Sequence, residues 1–242
     1  MVSFDPAHIV QVLPDLLVHL PVTLAVAGVT VLLGNLLGGL VAWGLLASDK
    51  HVRKIAESYV FVLRCTPPIV LLFIVFYGFP RFLSWWLGIE SDGWSRGVFV
   101  VIAMTLLFAA IISKVFTSAY LAVPRGQLEA GLSIGLSPLQ TFYRILLPQA
   151  ARIALPNFST ALLNLMKDAA LAYTIGLVDV LGGANLLISR NFGNYSLETY
   201  TAAAIIYWGL AFVLTLATQA AEQLLSPTGF QFHLARSRSS KK

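Results

Sequence analysis

Four ionisable side chains stand inside, or at the edge of, stretches that otherwise carry no charge: Arg64, Lys114, Lys167 and Asp168. A charge at the centre of a bilayer costs about 2.5–3.5 kcal/mol on insertion scales, so it persists where a wet cavity or a protein partner solvates it. Arg64 is followed closely by Thr66, Pro67 and Pro68. Consecutive prolines free backbone carbonyls that lipid cannot satisfy. Two readings follow: this corner lines a translocation path, or Arg64 snorkels to the headgroups. Lys114 carries the same pair of readings. Lys167 and Asp168 are adjacent, and adjacent residues do not face each other on a helix. One can line a path while the other locks packing. Hydrolytic chemistry finds no support. His8 and His19 precede the first apolar run, His51 and His233 lie outside the later ones, and none pairs with a Cys or a His four residues on. That leaves no nucleophile–base pair, no catalytic residue and no metal site. The single cysteine, Cys65, reads as a small buried hydrophobe.

These residues need apolar elements to hold them. Of 242 residues, 57% are hydrophobic and 11% charged, against roughly 25% charged in soluble domains. The mean hydropathy is +0.80. Water does not accept that much apolar surface; a bilayer does, and a spanning helix takes about 20 apolar residues. Leu20–Ser48 and Thr199–Ala221 contain no Asp, Glu, Lys or Arg. Shorter clean runs are Cys65–Pro80, Gly97–Ser113 and Ile153–Met166, the last continuing toward Val178. The expected fold is an all-α polytopic membrane protein with five spans in one domain. Residues 1–19 form a short external segment, 20–225 the membrane domain, and 226–242 a basic tail. Met1–Pro14 lacks a basic stretch and does not read as a cleavable signal. Gly34 and Gly38 place one small-residue stripe on the first span.

Basic residues in short loops mark the cytoplasmic side. One set comprises Lys50, Arg53 and Lys54, then Arg125, Arg144 and Arg152, then Arg236, Arg238, Lys241 and Lys242. The other side holds only Arg81, Arg96 and Arg190. The sides alternate as five spans require, which puts the amino terminus outside and the carboxyl terminus in the cytoplasm. The net charge of +5 follows from this bias and is no signature of nucleic-acid binding.

The segment 124–148, between the third and fourth spans, reads as two short helices joined by a turn. Pro124 suits a first helical position, Gly135 a left-handed stop, Ser137 an N-cap and Pro138 the next helical start. Gln140 completes a capping box with Ser137. Leu139, Phe142, Tyr143 and Leu146 share one helical face, and Pro148 stops or kinks the second helix. Such an element can rest on lipid or enter a partner's groove. Glu129 is spaced to pair with Arg125, to cap a helix or to meet a basic partner.

Glu129, Ala130, Gly131, Gly135, Ile145, Leu147 and Pro148 resemble the Glu-Ala-Ala loop of ABC-importer permeases, with Gly131 in place of the second Ala. Arg64-Cys-Thr-Pro-Pro68 with Tyr77-Gly-Phe-Pro80, Gln149–Pro156, Met166–Leu171 and Leu197–Tyr200 are similar to the polar amino acid (histidine/glutamine/cystine-type) branch. The likeness runs from about Pro21 to Glu222. It implies a type I importer permease fold in the bacterial inner membrane. It also implies a dimer with a second permease chain, a partner ATPase that holds ATP and Mg, an extracytoplasmic solute-binding protein and an amino acid cargo. This chain itself binds no cofactor and is no enzyme. The implied ATPase-coupling residues are Glu129, Ala130, Gly131, Gly135, Ser137, Pro138, Phe142, Tyr143, Ile145, Leu147 and Pro148. The pathway candidates are Arg64, Thr66, Pro67, Lys114, Lys167 and Asp168. One region departs: Leu107, Ile111, Lys114 and Thr117 stand where the branch has Asn, Tyr, Glu and Arg. Substrate contact has therefore moved, or lies mainly in a paired permease. A passive channel or ion-coupled carrier is the alternative, and it leaves the loop without a purpose. Nothing local selects among amino acids.

Overall fold

A computed structural model describes residues 4–90 and 93–225. The basic tail 226–242, with His233, lies outside the described residues.

Helix α1 (Pro6–Leu17) starts at Asp5, whose carboxylate accepts from the Ala7 N–H. It is followed by α2 (Leu20–Leu46), α3 (Lys50–Cys65), α4 (Pro68–Leu87) and α5 (Arg96–Ala122). Then come α6 (Arg125–Ser133), α7 (Pro138–Thr141), a π-helical turn (Phe142–Leu146) and α8 (Leu147–Ala169). A 3-10 turn (Ala170–Ile175), α9 (Val180–Arg190) and α10 (Ser196–Leu225) complete the chain. Four helices, α2, α4, α5 and α10, are long and apolar enough to span a bilayer. The bent pair of Pro138–Ile175 with Val180–Arg190, angled by 43°, passes the same test when taken as one span; it brings the number to five and stands fourth in chain order.

Helix α5 is the hub. Val100, Ala103, Ala109, Ala110 and Ile112 are fully buried along it. A Cβ on Gly34 of α2 would sit 2.6 Å from Phe108, and one on Gly38 would sit 2.6 Å from Ile112 and 3.2 Å from the Ala109 carbonyl. The paired numbers rise together, so α2 and α5 run parallel. The glycine stripe thus packs within the chain, where small residues let backbones approach. α8 runs the other way along α5, as the Phe108–Phe158 and Ala119–Ala150 neighbourhoods require.

The second apolar run differs from its sequence reading. Helix α3 continues to Cys65, and the chain breaks at Thr66 and Pro67, both extended at ψ 124 and ψ 138. Each precedes a proline, which disfavours the helical region, and Pro68 then starts α4. Arg64 is accordingly an exposed residue in the last turn of α3, not a group just inside the second span. Cys65 is exposed rather than buried. Ala56 and Val60 pack α3 on Leu45, and the Tyr59 hydroxyl donates to the Leu106 carbonyl of α5 at 2.8 Å.

The external segment of the sequence reading is α1, which packs through Val12 and Leu16 on Val180 and Ala184 of α9 and on Ala202 and Ile206 of α10. The fourth span breaks between the 3-10 turn and α9. Gly176 turns left-handed there at φ +80. Asp179, 2% exposed, caps α9 by accepting from the Gly182 N–H at 2.8 Å and from the Tyr207 hydroxyl at 3.3 Å. Thr23 accepts from the Val180 N–H, and Arg96 donates to the Gly176 carbonyl at 2.6 Å. Every freed backbone group named here thus finds a side chain, as a break within apolar surroundings requires.

Two stability predictions follow from this packing. Gly38→Val forces α2 off the Ala109 carbonyl and costs about 1–3 kcal/mol, read as a fall in unfolding midpoint in mixed micelles; Gly28→Ala, inside the same helix with nothing within 4 Å, does not lower the midpoint. Asp179→Ala strands the Gly182 N–H and the Tyr207 hydroxyl, and lowers stability in the same assay by about 1–3 kcal/mol.

Candidate functional site

The elbow formed by α6, α7 and the π-turn matches most of its expected local chemistry. Gly135 is left-handed at φ +86, and its N–H donates to the Leu132 carbonyl while Leu136 reaches back to Gly131. Ser137 caps α7: its Oγ accepts from the Gln140 N–H at 3.3 Å, and the Gln140 side chain accepts from the Ser137 N–H at 3.0 Å. Pro138 follows as the first helical residue. Pro124 stands one place earlier than expected, as the residue before α6.

Gly131 holds the two arms together. A Cβ there would lie 2.5 Å from Thr141 Cγ2 and 3.1 Å from Ile145. Thr141 is fully buried and its hydroxyl donates to the Ser137 carbonyl at 3.0 Å. The glycine that departs from the Glu-Ala-Ala pattern is thus matched by a β-branched residue in the facing arm.

Two expectations need correction. Of the two readings of Pro148, the stop is not seen: the helix continues through it by way of a π-turn. The Leu147 N–H donates to the Phe142 carbonyl, five residues back, and this wide turn carries the chain into α8. A π-turn is a recognised way to absorb a residue that cannot donate an ordinary helical bond. Nor do Leu139, Phe142, Tyr143 and Leu146 share one face. The wide turn rotates them into two pairs. Phe142 and the buried Leu146 pack inward against Ala119, Tyr120 and Val123. Leu139 and Tyr143 stay 66% and 59% exposed, joined by Ile134 at 76%. Glu129 and Ala130 are exposed on α6. Among the described residues the one ion pair is Arg53–Glu57, so Glu129 is not paired with Arg125.

The pathway candidates do not gather at one point. Arg64, Thr66 and Pro67 mark the α3–α4 break, where the Thr66 hydroxyl donates to the Val62 carbonyl at 2.8 Å. Lys114 is half-buried on α5, on the elbow side of the Phe108–Phe158 contact. Lys167 and Asp168 lie on the opposite side of that contact, in the last turn of α8. At 1.5 Å per residue they stand roughly 20 Å from Lys114 along the helix axes. Lys167 is exposed, Asp168 is half-buried, and they form no ion pair with each other. Sequence reasoning missed Asp179 and Glu198. The second is 4% exposed and accepts from the Asp5 N–H at 2.9 Å, tying the start of α10 to the chain before α1. The signal for Asp179 was available: an Asp three residues before a glycine pair, after an unbroken apolar run.

Known proteins share this arrangement. Residues 34–227 match the model of the binding-protein-dependent transport system inner membrane component family. The chain is 36% identical, over 91% of its length and 91% of the relative's, to an L-cystine transport system permease protein of Bacillus subtilis. It is 32% identical to a probable amino-acid ABC transporter permease protein of Vibrio harveyi, covering 88% of this chain and 92% of that one. Among solved structures, an amino acid ABC transporter crystallised with histidines superposes with a TM-score of 0.79 at 24% identity, over 92% of this chain and 100% of that one. This last likeness establishes the type I importer permease fold. Together with the long apolar helices, these matches make the chain a multi-pass membrane protein that belongs to the inner membrane permease family of binding-protein-dependent ABC importers.

Proposed function

We propose that this chain is one of two permease subunits that form the path of an ATP-driven importer for polar amino acids, and that its elbow docks on the ATPase. The observation that carries the proposal is the two-sided π-turn. Phe142 and Leu146 anchor the elbow to α5 while Leu139, Tyr143 and Ile134 project outward, next to an unpaired Glu129. Exposed apolar anchors beside a free charge fit a partner groove with a basic rim. Ala130, Gly131, Gly135, Ser137, Pro138, Ile145, Leu147 and Pro148 give that surface its shape and its continuous link into α8.

Mechanically, the ATPase dimer closes on ATP and Mg and draws the two docked elbows together. The elbow has little slack, because Gly131 sits directly on Thr141 and no loop separates α7 from α8. Motion therefore passes into α8 as a tilt, and access switches between the two faces. The elbow and the basic tail 226–242 face the cytoplasm, the amino terminus faces outward, and a solute-binding protein delivers cargo there. ATP hydrolysis belongs to the partner chain. Lys167 and Asp168, ahead of the break in the fourth span, contact the amino acid in transit. Arg64, Thr66, Pro67 and Lys114 line the wider vestibule. The relatives' named cargoes make L-cystine the first substrate to test.

The test is co-expression with the ATPase chain of the same importer and reconstitution with its solute-binding protein. Leu139→Asp and Tyr143→Asp each remove an anchor worth about 2 kcal/mol, so ATPase recovered on the purified permease falls by tenfold or more while the permease remains folded. Full recovery with both variants would refute docking at the elbow. Asp168→Ala lowers ATP-driven amino acid uptake by at least tenfold with ATPase recovery unchanged; uptake equal to wild type excludes Asp168 from the path.

A further inference from the structure

Helix α8 carries a polar face that neither the elbow nor the Lys167–Asp168 pair accounts for. Asn157, Thr160, Asn164 and Lys167 are all exposed, between Ile153 and Leu171 on the same line. At 3.6 residues per turn these positions fall within a sector of about 80°. The buried face, with Ala154, Ala161 and Leu165, is turned toward α5 and away from this line. The stripe thus runs for roughly 15 Å along a membrane span, toward the elbow end, with no apolar residue breaking it between Asn157 and Lys167.

The hydrogen bonding of this face differs from that of several other polar positions on the helices. Asn35 and Asn185 each donate to the carbonyl four residues back, at 2.8 and 2.9 Å. Thr201 and Thr215 do the same at 2.7 Å. These side chains place their donors on their own helix; Asn185 also accepts from the Tyr200 hydroxyl at 3.0 Å, and the buried Asn35 Oδ1 has no partner among the described residues. Asn157 and Asn164 make no such bond to any described residue, although both are on a regular helix with carbonyls in reach. Thr160 donates to the Pro156 carbonyl at 3.2 Å, which leaves its acceptor side free. An unsatisfied carboxamide in lipid costs several kcal/mol, so an open face of this kind requires a polar neighbour.

We propose that Asn157, Thr160 and Asn164 form a water-lined, uncharged track along which the zwitterionic amino acid moves between the Lys167–Asp168 level and the elbow face. The track rests on the importer reading above. Neutral donors and acceptors suit this task. They replace the hydration of an ammonium and a carboxylate in passing, and none supplies the fixed charge that would trap either one. A second copy of α8 packed dry against the same face is the competing outcome.

The test uses the complete complex in inner-membrane vesicles, with Cys65→Ala removing the only cysteine. Asn157→Cys, Thr160→Cys and Asn164→Cys are introduced singly, with Leu216→Cys on the exposed face of α10 as the lipid-side control. A sulfonate-bearing thiosulfonate reagent, which reacts from water, is the probe. The track predicts labelling at all three positions at least tenfold faster than at Leu216→Cys, slowed severalfold by trapping the ATPase with vanadate. Labelling no faster than the control, or spontaneous disulfides between two copies in its place, overturns the track. ATP-driven uptake is measured in the same vesicles. Uptake with inert cysteines discards the track and keeps the importer reading. Labelled cysteines without any ATP-dependent uptake keep the wet face and discard that reading.

Discussion

The architecture depends on how closely α2 and α5 approach. Lipid tails are as apolar as the side chains, so helices in a bilayer gain little from hiding apolar surface against each other. What holds them is contact, and contact needs smooth surfaces. Gly34 and Gly38 supply one, and Phe108 and Ile112 fill it. That parallel pair buries α5 on one side and leaves its other sides for α3, α4 and α8. Each remaining element is placed by reference to this hub: α3 by the Tyr59 hydroxyl on the Leu106 carbonyl, α8 by the ring contact between Phe108 and Phe158.

Three of the departures from straight helix each have their own chemistry. At Thr66–Pro67 the prolines forbid the helix. At Gly176–Asp179 the helix unwinds, and Thr23, Arg96 and Asp179 take up backbone groups named above. At Phe142–Leu146 the helix widens and keeps going. The first two are breaks; the third keeps the helix continuous from α7 into α8. Under the proposed coupling role this continuity would pass displacement on, where a loop after α7 would absorb it. The sides of the turn also differ, with Phe142 and Leu146 packed inward and Leu139 and Tyr143 exposed.

Polar side chains on the helices differ in how they are bonded. Some, such as Thr201 and Thr215, donate to their own helix. Others, on α8, are left open toward the outside of the chain. A single permease chain cannot close this face, which accords with a family whose members act within larger assemblies.

Much of this was legible in the residues. Charge-free runs identify the spans because no soluble fold tolerates them. Gly135, Ser137, Pro138 and Gln140 specify the elbow's turn and cap, because these are local geometries set by one or a few side chains. The Glu129–Pro148 spacing identifies the family for the same reason. What the sequence alone could not decide depends on who sits opposite whom. The periodicity of Leu139, Phe142, Tyr143 and Leu146 assumed 3.6 residues per turn, and the π-turn broke it. Arg64 and Cys65 looked like the start of a span until α3 proved to end there. Gly131 looked like a minor departure until Thr141 was found against it. Local chemistry is written residue by residue, but burial and helix phase are properties of the packed bundle, and only tertiary contact sets them.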